Sequence, residues 1–217
     1  MKIWRGSARV LPALVLAVAA QACALRGPPS LLEPAAHTEP APATYRVELT
    51  TNEGPVVIEV QRALAPRGAD RFYNLVRAGF YDGTRFFRVL PGFVVQFGLN
   101  GNPAVTAAWR EQKFPDDSVR TSNRAGTLTF ATSGPDSRTT QVFINLADNP
   151  RLDAMGFAPF GTVVSGMDVL KKLHAGYGEG APMGKGPSQS RIMAEGNAYL
   201  LTEFPELDYV VEAEVRE

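Results

Sequence analysis

Eight short runs rich in apolar residues, the first of them alternating apolar with polar, set the frame for this sequence, at residues 45–51, 56–60, 85–90, 93–97, 127–131, 142–146, 160–164 and 209–215. Successive strand side chains point to opposite faces, so each run reads as a short strand. The first two flank the turn Asn52-Glu53-Gly54-Pro55 and form a hairpin. Only two stretches have helical spacing. Pro66 opens one, with Ala69, Phe72, Tyr73, Val76 and Phe80 at helical intervals and an end at Gly79. The other covers 167–173, entered from Ser165-Gly166. Strands that do not alternate with helices argue against a parallel sheet and for an antiparallel barrel or sandwich. Residues 98–126 and 174–203 are too long for plain connections, so they are expected to be functional or to carry small elements of their own.

Ahead of this domain the chain changes character. Lys2, Arg5 and Arg9 precede an apolar run over 10–20, and Ala20-Gln21-Ala22 supplies small residues at a cleavage position. This is the pattern of an export signal, too short to cross a hydrocarbon core of ~30 Å as a helix. Cys23, the only cysteine, follows directly. A lone thiol in an exported chain has no internal disulfide partner. Ala20-Gln21-Ala22-Cys23 resembles a bacterial lipoprotein box, although Ala20 stands where Leu is preferred. A lipid anchor at Cys23 and a soluble periplasmic form both remain open. Pro28, Pro29, Pro34, Pro40 and Pro42 then mark an extended linker, able to hold a domain several tens of ångströms from an anchor. The expected organisation is an export signal over 1–22, a linker over 23–44 and one domain over 45–217.

Charge and chemistry narrow the function. Basic and acidic residues number 22 each, and cleavage after Ala22 leaves a net of −3. No basic stripe suggests a nucleic-acid partner. His37 falls in the linker and His174 beside a helix end, so a histidine-based triad or metal cluster is not expected. No metal and no cofactor is anticipated. The glycines of 176–186 miss the phosphate-loop pattern, because Glu179 and Gly186 occupy positions that need Gly and Ser or Thr, and a surface loop is the better reading. Asp116-Asp117 reads as a charged turn.

What remains is a cluster of one cation, one amide and several aromatics in Phe86-Phe87-Arg88-Val89-Leu90-Pro91-Gly92-Phe93-Val94-Val95-Gln96. It resembles the cyclophilin hallmark F-x-R-x-x-P-x-F-x-x-Q at every defined position. Gly126-Thr127-Leu128-Thr129-Phe130-Ala131-Thr132, leading to Thr140-Gln141-Val142-Phe143-Ile144, is similar to a second family segment. Leu152-Asp153 followed by Phe160-Gly161-Thr162-Val163 is similar to a third. The resemblance covers 45–175. It implies a mainly β fold, a closed antiparallel eight-stranded barrel with two capping helices, and peptidyl-prolyl cis/trans isomerase activity on proline-containing polypeptides, by a monomer.

That activity suits the residues. The barrier to X-Pro rotation, ~18–20 kcal/mol, comes from amide resonance, so catalysis needs no nucleophile or metal. It needs a donor to the proline nitrogen as it turns pyramidal and an apolar grip on the ring. The resemblance implies that Arg88 is the donor, with Phe93, Gln96 and Phe143 completing the catalytic set. Val94, Leu152 and Phe157 would line the proline pocket, and Ala131, Thr132 and Gln141 the wall along which the peptide lies. Phe93 and Phe143 could equally be barrel core, the default for strand aromatics. Arg151 stands where many members carry Trp before Leu-Asp, which implies weak cyclosporin binding; tight inhibition would refute this. Phe157 takes a position often held by His, and Thr132 replaces Asn. Trp109 reads as a packing anchor. A module that grips proline segments without turnover is the competing reading, and the two part at Arg88.

Overall fold

A computed structural model of the chain describes Met1 and residues 30–216; the expected export signal beyond Met1, its expected cleavage position and Cys23 lie outside the described residues. Eight strands form one antiparallel sheet: β1 (Thr44–Thr51), β2 (Gly54–Gln61), β3 (Arg88–Leu90), β4 (Val94–Phe97), β5 (Thr127–Phe130), β6 (Val142–Asn145), β7 (Pro159–Ser165) and β8 (Val210–Arg216). Their order is β3-β4-β6-β5-β7-β2-β1-β8. The β1–β2 hairpin turns at 52–53, with Thr51 opposite Gly54. Along β1, Tyr45, Val47 and Leu49 are buried between exposed or half-exposed neighbours, the alternation that marks this strand in the sequence.

Among the described residues six α-helices accompany the sheet: α1 (Pro66–Arg77), α2 (Pro103–Arg110), α3 (Arg151–Ala154), α4 (Met167–Lys172), α5 (Gln189–Glu195) and α6 (Asn197–Glu203). Two helices and a closed barrel, the expectation from the sequence, are therefore both corrected. The sheet is open and curled, with β3 and β8 as its edges. The segment ahead of β3 meets the start of β8 through the bridge of Arg85 with Tyr209 and the bonds Gly83 N to Val210 O, 2.8 Å, Val210 N to Thr84 O, 2.9 Å, and Phe86 N to Asp208 O, 2.9 Å. No ladder follows, because the chain turns at once, Phe87 N donating to Arg85 O. Phe87 is thereby buried in a second apolar cluster with Leu99, Ile192, Tyr199, Leu200, Phe204 and Leu207, beneath α5 and α6.

The main core lies between the sheet and α1. Phe72 and Leu75 of α1 are fully buried, and the Phe72 ring sits 5.5 Å from that of Phe160, which stacks on Phe130 at 5.2 Å. Ala65 at the helix entrance offers no capping side chain. Asp117 substitutes from a distant loop, accepting from Gly68 N at 2.8 Å, a favourable place for an acidic group at a helix N-terminus. At the other end Gly79, φ +69°, lets Phe80 N reach back to Leu75 O, closing the helix with a left-handed cap.

Residues 30–43 lie against this core. Leu31 packs on it, and its carbonyl accepts from Trp109 Nε1 at 2.9 Å. Asn74 of α1 clasps Glu39 by both backbone groups, and Asp70 accepts from Ala41 N at 2.8 Å. This part of the Pro-rich segment is a docked strap rather than the free linker that composition suggests. Polar side chains of α1 satisfy its backbone, a form of docking that apolar content does not register.

Candidate active site

The sheet places the candidate residues in one row. Arg88 on β3 pairs with Gln96 on β4, Gln96 with Phe143 on β6, and Phe143 with Thr129 on β5. Directly opposed residues of antiparallel neighbours share a face, so this row carries a cation, an amide, an aromatic ring and a hydroxyl side by side. Val94, two residues before Gln96, lies on the same face.

The apolar members form a cluster of their own, separate from the main core. Val94, Phe143 and Leu152 are buried, with Phe93, Ala131 and Phe157 packed against them. The Phe143 and Phe157 rings meet edge to face at 5.5 Å. Phe93 is half exposed on the rim, flanked by the guanidinium of Arg88 at 5.5 Å and of Arg151 at 5.0 Å. Every residue expected to contact the proline ring is thus in one place. A cluster set apart from the fold's own core, with half-exposed aromatics at its edge, has the chemistry to receive an apolar ligand.

Polar groups border it on one side. Arg88 Nη1 donates to Gln96 Oε1 at 3.2 Å, and Gln96 Nε2 donates to Gln141 Oε1 at 2.9 Å. Beyond Gln141 opens a groove of about 710 Å³ bounded by Ala131, Thr132, Ser137, Lys113 and, from α5, Gln189 and Met193. Ala131 N is committed to Gln141 O at 2.9 Å, so pairing with a peptide strand there would fall to the Ala131 carbonyl. The Thr132 hydroxyl turns inward onto Gly134 O and Ser137 Oγ. Trp109 is buried against Phe80, as expected of a packing residue.

Two sets of residues escaped the sequence reading. Beneath the pocket, Asn123 donates to Asp153 Oδ1 at 2.8 Å and to Phe157 O at 2.8 Å, and accepts from Thr129 Oγ1 at 3.0 Å. Asn145 and Asn149 extend the network to Phe93 O. Burial alone would raise the Asp153 carboxyl, but hydrogen bonds from Ser122 and Asn123 hold it below its ordinary value. The cue was an Asn ending the apolar run 142–145, since a buried amide requires partners. The second is Glu179, whose carboxylate takes Arg88 Nε and Nη2 at 2.7 Å each. The Arg88 hydrogen bond leads in pulling its pKa down, against the opposing effect of burial. A carboxylate inside a glycine-rich loop was its only sequence signal.

Residues 46–194 match the sequence profile of the family described as cyclophilin type peptidyl-prolyl cis-trans isomerase/CLD. The chain is 43% identical over 139 residues to a peptidyl-prolyl cis-trans isomerase of Acinetobacter baylyi, covering 60% of this chain and 72% of that protein. It is 39% identical over 140 residues to peptidyl-prolyl cis-trans isomerase A of Dickeya dadantii, covering 61% and 73%. A crystal structure of a cyclophilin type isomerase of Cryptosporidium parvum aligns with a TM-score of 0.58 at 20% identity, over 80% of this chain and 98% of the other, a likeness of fold. With the profile spanning most of the sequence and the three motifs falling inside it, the chain belongs to the cyclophilin-type peptidyl-prolyl cis-trans isomerases.

Proposed function

We propose that Arg88 carries the isomerisation by donating a hydrogen bond to the proline nitrogen as the amide twists, while the cluster of Val94, Phe143 and Leu152 grips the ring. The observation that supports this reading is the juxtaposition of an oriented guanidinium with an apolar cluster separate from the core. A planar amide nitrogen is a poor acceptor, and it becomes a good one only as resonance is lost. The bond to Arg88 therefore strengthens toward the transition state, which is the condition for accelerating rather than merely binding. Phe93 closes the rim, Gln96 holds Arg88, and the peptide continues along Ala131, Thr132 and Gln141, with Leu152 and Phe157 beneath the ring.

In a protease-coupled assay on a proline tetrapeptide, Arg88→Ala is expected to lower kcat/KM at least tenfold, ~1.4 kcal/mol in barrier, with an unchanged circular dichroism spectrum. Retained turnover would remove Arg88 from the mechanism. Retained peptide binding without turnover in the wild type would favour the gripping module.

The working place of the enzyme is part of the same proposal. The basic start, the apolar run and Ala20-Gln21-Ala22 support export to a bacterial periplasm, and Cys23 supports lipid attachment there. Clients would then be exported chains still folding. Mass spectrometry of the mature N-terminus tests this: a diacylated Cys23 is expected, and an unmodified Cys23 or an uncleaved Met1 would overturn it.

A further inference from the structure

Resting on the assignment of Arg88 as the donor, we propose that Glu179 is the positioning residue of the reaction, a carboxylate delivered by the 174–188 loop to hold the Arg88 guanidinium in its working orientation. An arginine carries five N–H donors in a rigid plane. Glu179 Oε1 and Oε2 occupy the edge formed by Nε and Nη2, both at 2.7 Å, and Gln96 Oε1 takes one donor of Nη1 at 3.2 Å. Of the five donors, these three contacts leave one N–H on each terminal nitrogen. Two acceptors on different elements thus fix the plane of the group, and leave two donors for a twisting amide. Gln96 alone, through one 3.2 Å bond, would leave the guanidinium free to swivel.

The loop is built to present that carboxylate. Glu179 O accepts from Gly186 N at 2.8 Å, Ala181 N donates to Gly186 O at 3.1 Å, and Gly180 N donates to Glu179 Oε1 at 2.9 Å. Gly184 crosses so close that a Cβ on it would meet Glu179 O at 2.2 Å, so the fold of the loop requires glycine there. Tyr177 ties the near end down, its ring 4.9 Å from Phe204 of the second apolar cluster. Side-chain exposure of 19% for Arg88 and 38% for Glu179 keeps the pair within reach of a peptide yet partly shielded from water. Holding a donor before the substrate arrives removes the reorganisation that would otherwise accompany the chemical step. The same contact neutralises part of the charge on Arg88, and the bidentate geometry implies that orientation outweighs this loss.

The test uses the mature chain with Glu179→Ala, Glu179→Gln and Arg88→Ala side by side. Glu179→Gln keeps the one oxygen that accepts from both Gly180 N and Arg88 Nε, but turns an NH2 toward Nη2. The loop therefore survives while the two-point grip is lost. Both Glu179 variants are expected to lose about tenfold in kcat with KM nearly unchanged, at an unaltered melting temperature for the Gln form. In nitrogen-15 spectra the Arg88 Nε–H resonance, assigned by its loss in Arg88→Ala, should move toward that of free arginine in both. Full activity in Glu179→Gln and Glu179→Ala beside an inactive Arg88→Ala would overturn the positioning role and leave the Arg88 assignment standing. A gain of activity would overturn it too, showing that the ion pair withholds Arg88. An active Arg88→Ala would instead sink the reading on which the inference rests.

Discussion

Gln96 is held by Gln141: its Nε2 donates to Gln141 Oε1 at 2.9 Å, which turns its own Oε1 toward Arg88. An amide can flip end for end at little cost, and a flipped Gln96 would confront Arg88 donor against donor. Gln141 sets the direction. Replacing Gln141 by Leu, which cannot accept, is expected to reduce kcat/KM about fivefold, roughly 1 kcal/mol, whereas Gln141→Glu should preserve most of it. Equal activity in the two variants would show that Gln96 needs no such partner.

Phe143 and Phe160 are both buried strand aromatics, but they belong to different clusters. Phe160→Ala opens a cavity in the main core, with an expected loss of about 3–5 kcal/mol in urea unfolding and near-normal kcat/KM on the folded fraction. Phe143→Ala should do the reverse, costing less stability and most of the activity. The pair of measurements separates core from site, and matching stability losses would merge the two clusters into one.

The Asp153 carboxylate supports the pocket floor, so its ionisation contributes to stability. Its pKa in the fold lies below the ordinary 3.8. The contribution is therefore fully present above the unfolded-state value and is lost as pH falls through the lower folded-state value. Acid unfolding of the wild type should show a steeper loss of stability below pH 4 than Asp153→Asn, which is expected to be weaker by about 1–3 kcal/mol at neutral pH and flatter on acidification. Parallel pH curves would rule out the linkage.

Asn74 holds the strap through two bonds to the backbone of Glu39. Asn74→Ala is expected to cost about 1–2 kcal/mol and to admit protease cleavage between 30 and 43, followed by exposure of Trp109. A chain that resists cleavage there would show the strap to be secured without Asn74, by contacts such as Leu31 on the core, Asp70 on Ala41 N and Arg77 on Glu39.

The β1–β2 hairpin was legible from alternation, because Val47, Leu49 and Ile58 must face the core while their neighbours do not, whereas β4, β5 and β6 are buried at every position and were legible only as short apolar runs. The site was legible from motif, since Arg88, Gln96 and Phe143 come together simply by standing in register on β3, β4 and β6. Helices α5 and α6 were not. Each has seven residues, too few for a clear period, and they meet at Gly196. Their stability comes from packing on Phe87 and Leu99, about a hundred residues away in sequence, which no local pattern reports. The open edge was not legible either, because the backbone turn from Phe87 N to Arg85 O that ends pairing beside β8 leaves no period in the sequence. Asn102 followed by Pro103 caps α2, its side chain accepting from Ala104 N at 3.0 Å, a signal the sequence reading passed over. Glu179 lies 91 positions from Arg88, and only the folded loop brings them together.

The docked strap alters how far the enzyme could range. On a lipid at Cys23, the leash ends where Leu31 meets the domain, eight residues on, a span of at most roughly 29 Å at full stretch. The catalytic groove would then sweep a thin layer next to the bilayer, meeting chains as they emerge from it and few that have diffused away.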